Sequence, residues 1–185
     1  MKKMKKLLQM IAILTSLFLL SGCAALLDEL FADNDEDHFT TNEEIVTPLS
    51  EVTGTDIFQK GALEHILEGE LNRKGSAVGF HYDRLPSKKS EIIEGSQSGE
   101  DEHGVYEAEV KVSGVEKTSN RGRSTFFPDD WDTQDVVDAI HEAYNNREFL
   151  QGNTYEGLTD EGIIIQMYLN NNDQIISAFP VYEGD

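Results

Sequence analysis

His65, in Glu64-His65-Ile66-Leu67-Glu68-Gly69-Glu70, and His81, in Gly79-Phe80-His81, stand sixteen residues apart. Imidazole has an ordinary pKa of about 6.5, so it can take or give a proton near neutrality. Two imidazoles suit a reaction that needs both acts. Metal-free cleavage of a ribose phosphodiester is one: a base takes the proton of the 2′-OH, and an acid gives one to the leaving 5′-oxygen. Negative charge then builds on the phosphorane, so a fixed cation is the third requirement. Lys111, Lys117, Arg121 and Arg123 all follow in the chain and could supply it. Lysine would act as a point charge, arginine with a different geometry.

Metal chemistry fits these residues poorly. No second His-x-x-x-His or carboxylate pattern accompanies the two histidines, so they do not read as a zinc set. His103 sits in the acidic run Gly99-Glu100-Asp101-Glu102-His103-Gly104, which lacks the spacing of a calcium loop. Cys23 is the only cysteine, which excludes an internal disulfide and a thiolate metal site. No cofactor is expected.

The elements that must position the histidines can be read from periodicity. Ala62, Leu63, Ile66 and Leu67 mark one apolar face of a helix over 60–72, with His65 at its edge. Ser76 to Tyr82 reads as a short strand carrying His81. Leu85 to Gly104 is polar, glycine-containing and charged, and reads as a long loop or insertion. Tyr106, Ala108, Val110 and Val112 alternate with Glu107, Glu109 and Lys111, a half-buried strand on which Lys111 belongs to a solvated charge ladder. Ser124 to Phe127 is extended, with Phe126 and Phe127 as core. Asp132 or Thr133 caps a helix over 134–147 whose stripe is Val136, Val137, Ile140, Ala143 and Tyr144, with His141 on its polar side. Ile163–Leu169 and Gln174–Tyr182, joined by Asn170-Asn171-Asn172-Asp173, form a terminal hairpin. The fold class is α+β: N-terminal helices followed by a twisted antiparallel sheet.

The chain has 185 residues. Lys2, Lys3, Lys5 and Lys6 precede an apolar run from Leu7 to Leu20, shorter than the roughly 20 residues of a spanning helix. Leu20-Ser21-Gly22-Cys23 follows and resembles a bacterial lipobox. Residues 1–22 are therefore expected to be a lipoprotein signal, with Cys23 lipidated and the protein exported to the outer face of the membrane. Residues 23–58, acidic around Asp33-Asn34-Asp35-Glu36-Asp37, read as a flexible tether, and 59–185 as the domain. All 35 Asp and Glu but only eleven of the fifteen Lys and Arg lie after the signal, a net charge of −24. Such acidity argues against broad, tight binding to a nucleic-acid backbone but leaves room for a local cleft. It also suits a non-catalytic binding module, the competing expectation.

A wider set of motifs bears on the choice. Leu63-Glu64-His65-Ile66-Leu67-Glu68-Gly69-Glu70, Gly79-Phe80-His81, Gly104-Val105-Tyr106-Glu107-Ala108, Ser124-Thr125-Phe126-Phe127-Pro128, Trp131, Gly152-Asn153-Thr154-Tyr155 and Ser177-Ala178-Phe179-Pro180 occur in this order. Together they resemble the bacterial EndoU nuclease domain, over roughly 58–182. That family is similar to the eukaryotic and coronaviral uridylate-preferring endoribonucleases. The resemblance implies a fold related to small bacterial RNase toxins. It implies cleavage of single-stranded RNA or tRNA, not DNA, to a 2′,3′-cyclic phosphate and a 5′-OH. It implies a His-His-Lys centre of His65, His81 and Lys117, with His65 as acid and His81 as base. Ser124 or Thr125 and Ser177 would hold the base by their hydroxyls, and Phe179 would stack on it where the viral relatives have a tyrosine. Phenylalanine cannot donate a hydrogen bond, so uridine preference is not carried over. Relatives of this kind are often toxins with a dedicated immunity protein, which would be the cognate partner here.

Overall fold

The two larger sheets follow from alternation of apolar and polar residues. In the computed structural model, which describes residues 46–184, the alternating segment forms β4 (Tyr106–Val112), with Tyr106, Ala108, Val110 and Val112 buried. It pairs antiparallel with β3 (Ser90–Ile92), β5 (Val115–Glu116) and β6 (Arg123–Phe126). Lys111 lies 3.9 Å from both Glu91 and Glu116, which places it in the charge ladder. The second sheet runs in the order β10 (Ile175–Pro180), β9 (Ile164–Leu169), β8 (Thr154–Leu158), β7 (Glu148–Gln151), all antiparallel. The α+β class is as expected. The antiparallel strands are divided between separate sheets, and the longer helix lies between them in sequence.

That helix, α2 (Thr133–Asn145), begins at Asp132 in a capping box with Asp135, whose Oδ2 accepts the Asp132 backbone N–H at 2.7 Å. Its face of Val136, Val137, Ile140 and Ala143 packs with Ile165, Met167 and Ile175 of the second sheet and with Ile163 just before β9. A Cβ on Gly157 would lie 1.9 Å from the Ala143 carbonyl oxygen, so only glycine lets β8 run this close to the helix. His141 sits at the edge of this helix, partly buried, 3.9 Å from Asp56.

Three boundaries differ from the sequence expectation. The first helix, α1, is shorter, Ala62–Glu68, because Gly69 ends it at φ 72°. Its strand partner is reduced to β2 (Ala77–Val78), paired with β1 (Glu70–Leu71). The hairpin β7–β8 was not anticipated, because all four residues of β7 are exposed and show no alternation. Residues 46–58, assigned to the tether by composition, pack on the domain. Val46 and Phe58 are buried, and Thr47 hydrogen-bonds Asp132 through its N–H (2.6 Å) and its hydroxyl. Widely spaced apolar residues in a polar stretch gave no periodic signal. Cys23, the lipobox and the remainder of the tether lie outside the described residues.

Candidate active site

His65 is on the last full turn of α1, which is held by Ile66 and Leu67, both fully buried. Burial of each such side chain contributes about 1.5–3 kcal/mol, so the helix cannot drift. The main chain then ties the second histidine to the first. The His65 carbonyl accepts the N–H of Gly69 (3.1 Å) and of Phe80 (3.2 Å), and the Ile66 carbonyl accepts the N–H of His81 (2.8 Å). The orphan carbonyls at the helix end are thus satisfied by the segment that carries His81. Gly79 (φ 75°) and Phe80 (φ 65°) are both left-handed, which turns the chain out of β2. A Cβ on Gly79 would lie 1.9 Å from the His65 carbonyl oxygen. Phe80 carries its positive φ without glycine's freedom, held by burial and an edge-on contact with Phe126 at 5.2 Å.

His81 is fixed from the other side by β6. Its ring Nδ1 lies 2.7 Å from the Thr125 carbonyl oxygen, and its own carbonyl accepts the Phe127 N–H at 3.1 Å. Its ring stacks on Phe179 at 5.2 Å with an interplanar angle of 19°. A carbonyl only accepts, so Nδ1 carries the proton and Nε2 is left with a lone pair. Burial, reinforced by the charge of Lys117, drives the His81 pKa down to about 3. This imidazole is neutral across the physiological range.

His65 is in a different environment. Nδ1 lies 3.2 Å from Glu70 Oε1, and Nε2 lies 3.2 Å from Ser177 Oγ. Burial lowers its pKa, while the Glu70 carboxylate opposes the shift. Of the two, His65 is the ring equipped to hold a second proton.

Lys117 Nζ donates to Ser124 Oγ at 2.7 Å and approaches the Gly79 carbonyl at 3.5 Å. Burial lowers its pKa to about 8, so it remains a cation at neutral pH. Ser124 is 1 % exposed and donates its own proton to the Gly79 carbonyl at 3.0 Å. Its hydroxyl is therefore committed to holding Lys117. Thr125 Oγ1, by contrast, is buried with no hydrogen-bond partner among the described residues. It lines the same cavity as His65, His81, Lys117, Ser177 and Phe179, a cleft of about 500 Å³. Two of the other candidate cations are engaged in ion pairs: Arg123 with Glu107 at 2.8 Å, and Lys111 with the acids named above. Gln166 and Tyr168 of β9 also line the cleft and were not picked out in the sequence. Their position opposite Phe179 and Ser177 in the β9–β10 register is the signal that brings them there.

Two histidines in different surroundings, a lysine and an unpaired hydroxyl share one cleft on a small α+β domain. The chain belongs to the bacterial EndoU nuclease family, whose sequence model it matches over residues 59–182, two thirds of its length. It is also 46 % identical over 150 residues to a Bacillus cereus protein named "Toxin", an alignment that covers 81 % of this chain and 27 % of that protein. The chain thus spans about a quarter of that relative's length. No solved structure matches it.

Proposed function

We propose that this nuclease is a metal-independent endoribonuclease that cuts single-stranded RNA or tRNA by attack of the 2′-OH. The reading is carried by the contact between His81 Nδ1 and the Thr125 carbonyl at 2.7 Å, which leaves Nε2 free to accept a proton. In the proposed step His81 takes the 2′-OH proton, the 2′-oxygen bonds to phosphorus, and the bond from phosphorus to the 5′-oxygen breaks. His65, supported by Glu70, gives the leaving oxygen its proton. The products are a 2′,3′-cyclic phosphate and a 5′-OH. Lys117 offsets the charge of the phosphorane. Thr125 and Ser177 hold the base by their hydroxyls. Phe179 stacks on the His81 ring and contributes to the same wall, while Ser124 holds the lysine and not the base.

The kinship with a protein named "Toxin" supports a toxin's use of this activity, with an immunity protein as the partner that restrains it. The basic segment, apolar run and Leu20-Ser21-Gly22-Cys23 support lipidation of Cys23 and anchoring at the outer face of the membrane. The tether would then end before Val46.

The test is a pair of RNA oligonucleotides of one sequence, one with a single 2′-deoxy sugar at the cleavage position. The full chain should cut only the all-ribose strand there and leave a cyclic phosphate. A cut at the deoxy position would contradict attack by the 2′-OH.

A further inference from the structure

A second cavity of about 500 Å³ adjoins the cleft. The two share His65, Tyr168 and Ser177 as a common wall. Tyr168 and Ser177 are register partners on β9 and β10, so that wall is rigid. The far side carries Gln59, Lys60 and Asn170. Asn170 is locked by the hairpin turn, where its Oδ1 accepts the N–H groups of Asn172 (2.8 Å) and Gln174 (3.0 Å). Its Nδ2 donates to Gln59 Oε1 at 3.0 Å, which fixes Gln59 with its own amide N–H groups unspent. Lys60 is exposed and makes no ion pair among the described residues.

We infer that this adjoining cavity is the subsite for the nucleoside on the 3′ side of the cut, with Lys60 meeting the phosphate that follows it. The inference rests on the reading above and adds the direction of the bound strand. His81 stands on the inner side with Thr125 and Phe179, so the ribose whose 2′-OH it deprotonates lies there. His65 stands on the wall between the cavities, so the leaving 5′-oxygen is presented at that wall. The nucleoside that owns this oxygen continues into the adjoining cavity. Glu70 also lines it and would repel a phosphate beside His65. A neutral nucleoside therefore occupies the stretch next to Glu70, and the next negative charge falls at the lysine rim. Gln59 offers its amide N–H groups to the base or sugar between them.

The test compares UpA, which ends at the first leaving nucleoside, with UpApA, which adds the second phosphate. With the full chain, kcat/KM for the first linkage should be about three- to tenfold higher for UpApA, the scale of one ordinary hydrogen bond at a solvent-exposed rim. A neutral methylphosphonate at the second linkage should abolish the gain. Lys60→Ala should bring the UpApA-to-UpA ratio towards one, and Lys60→Arg should restore it. Equal cleavage of the two by the unaltered chain, or a ratio that Lys60→Ala leaves unmoved, would overturn the subsite while the nuclease reading stands. Cleavage of neither would overturn both.

Discussion

Two cavities on this domain, about 500 and 640 Å³, differ in what lines them. The first holds His65, His81 and Lys117 with hydroxyls and amides and no carboxylate. The second holds Glu100, Glu102, Asp129, Asp130 and Glu161 around His103 and Trp131. Near it, burial and the neighbouring Asp129 push the Asp83 carboxyl up to about 6, a mark of crowded negative charge. The net charge is thus a poor guide to the potential at any one site. A polyanion meets a local cation in one cavity and would be repelled from the other. The acidity that argues against broad nucleic-acid binding is kept out of the cleft lining.

Four experiments test this contrast. His81→Ala should lower kcat/KM on RNA by about 10²–10⁴, and Lys117→Ala by about 10²–10³. If both stay within a few-fold of the parent chain, the cleft is not the reaction site. Next in size is Ser124→Ala, which removes the hydroxyl 2.7 Å from Lys117 Nζ. A loss of about tenfold is expected, the cost of one charged hydrogen bond. It should appear in kcat more than in KM, since Ser124 is buried away from the substrate.

The third concerns pH. The proposed step needs His65 protonated and His81 neutral. Burial lowers both rings, His81 to about 3 through added repulsion from Lys117. Lowering the pH from the alkaline side towards the His65 pKa, which burial holds below the ordinary 6.5, therefore charges His65 while His81 stays neutral, so kcat/KM should rise as pH falls. Glu70→Gln removes the group that opposes the His65 shift, so the alkaline limb should move to lower pH. A profile that Glu70→Gln leaves in place would detach Glu70 from the acid. The smallest effect belongs to the other cavity. Glu102→Gln with Asp130→Asn should change kcat/KM by less than about threefold, upward at low ionic strength and not at all in high salt.

How far the sequence disclosed this arrangement depends on local pattern. The β4 alternation and the α2 stripe with its Asp132 cap are periodic signals, and the observed strand and helix follow them closely. Phe126 and Phe127, read as core, are buried. The gathering of His65, His81 and Lys117 in one cleft was legible from motif order and from nothing local. The division of labour between Ser124 and Thr125 was not legible, because adjacent strand residues point to opposite faces and only the pairing decides which faces the cleft. The β7–β8 hairpin was missed because Phe149 and Leu150 are exposed, at 61 % and 47 %, and an edge strand with no buried side has no period. The docking of Val46 to Phe58 depends on distant partners such as Asp132, which no window of sequence contains.

The most direct measurement is cleavage of a uridine-containing RNA oligonucleotide in excess EDTA by the parent chain, His65→Ala and His81→Ala. The account predicts cyclic-phosphate product from the parent chain and none above background from either variant. Cleavage that survives in both variants, or that the parent chain lacks in EDTA and gains with manganese, would contradict the two-histidine mechanism.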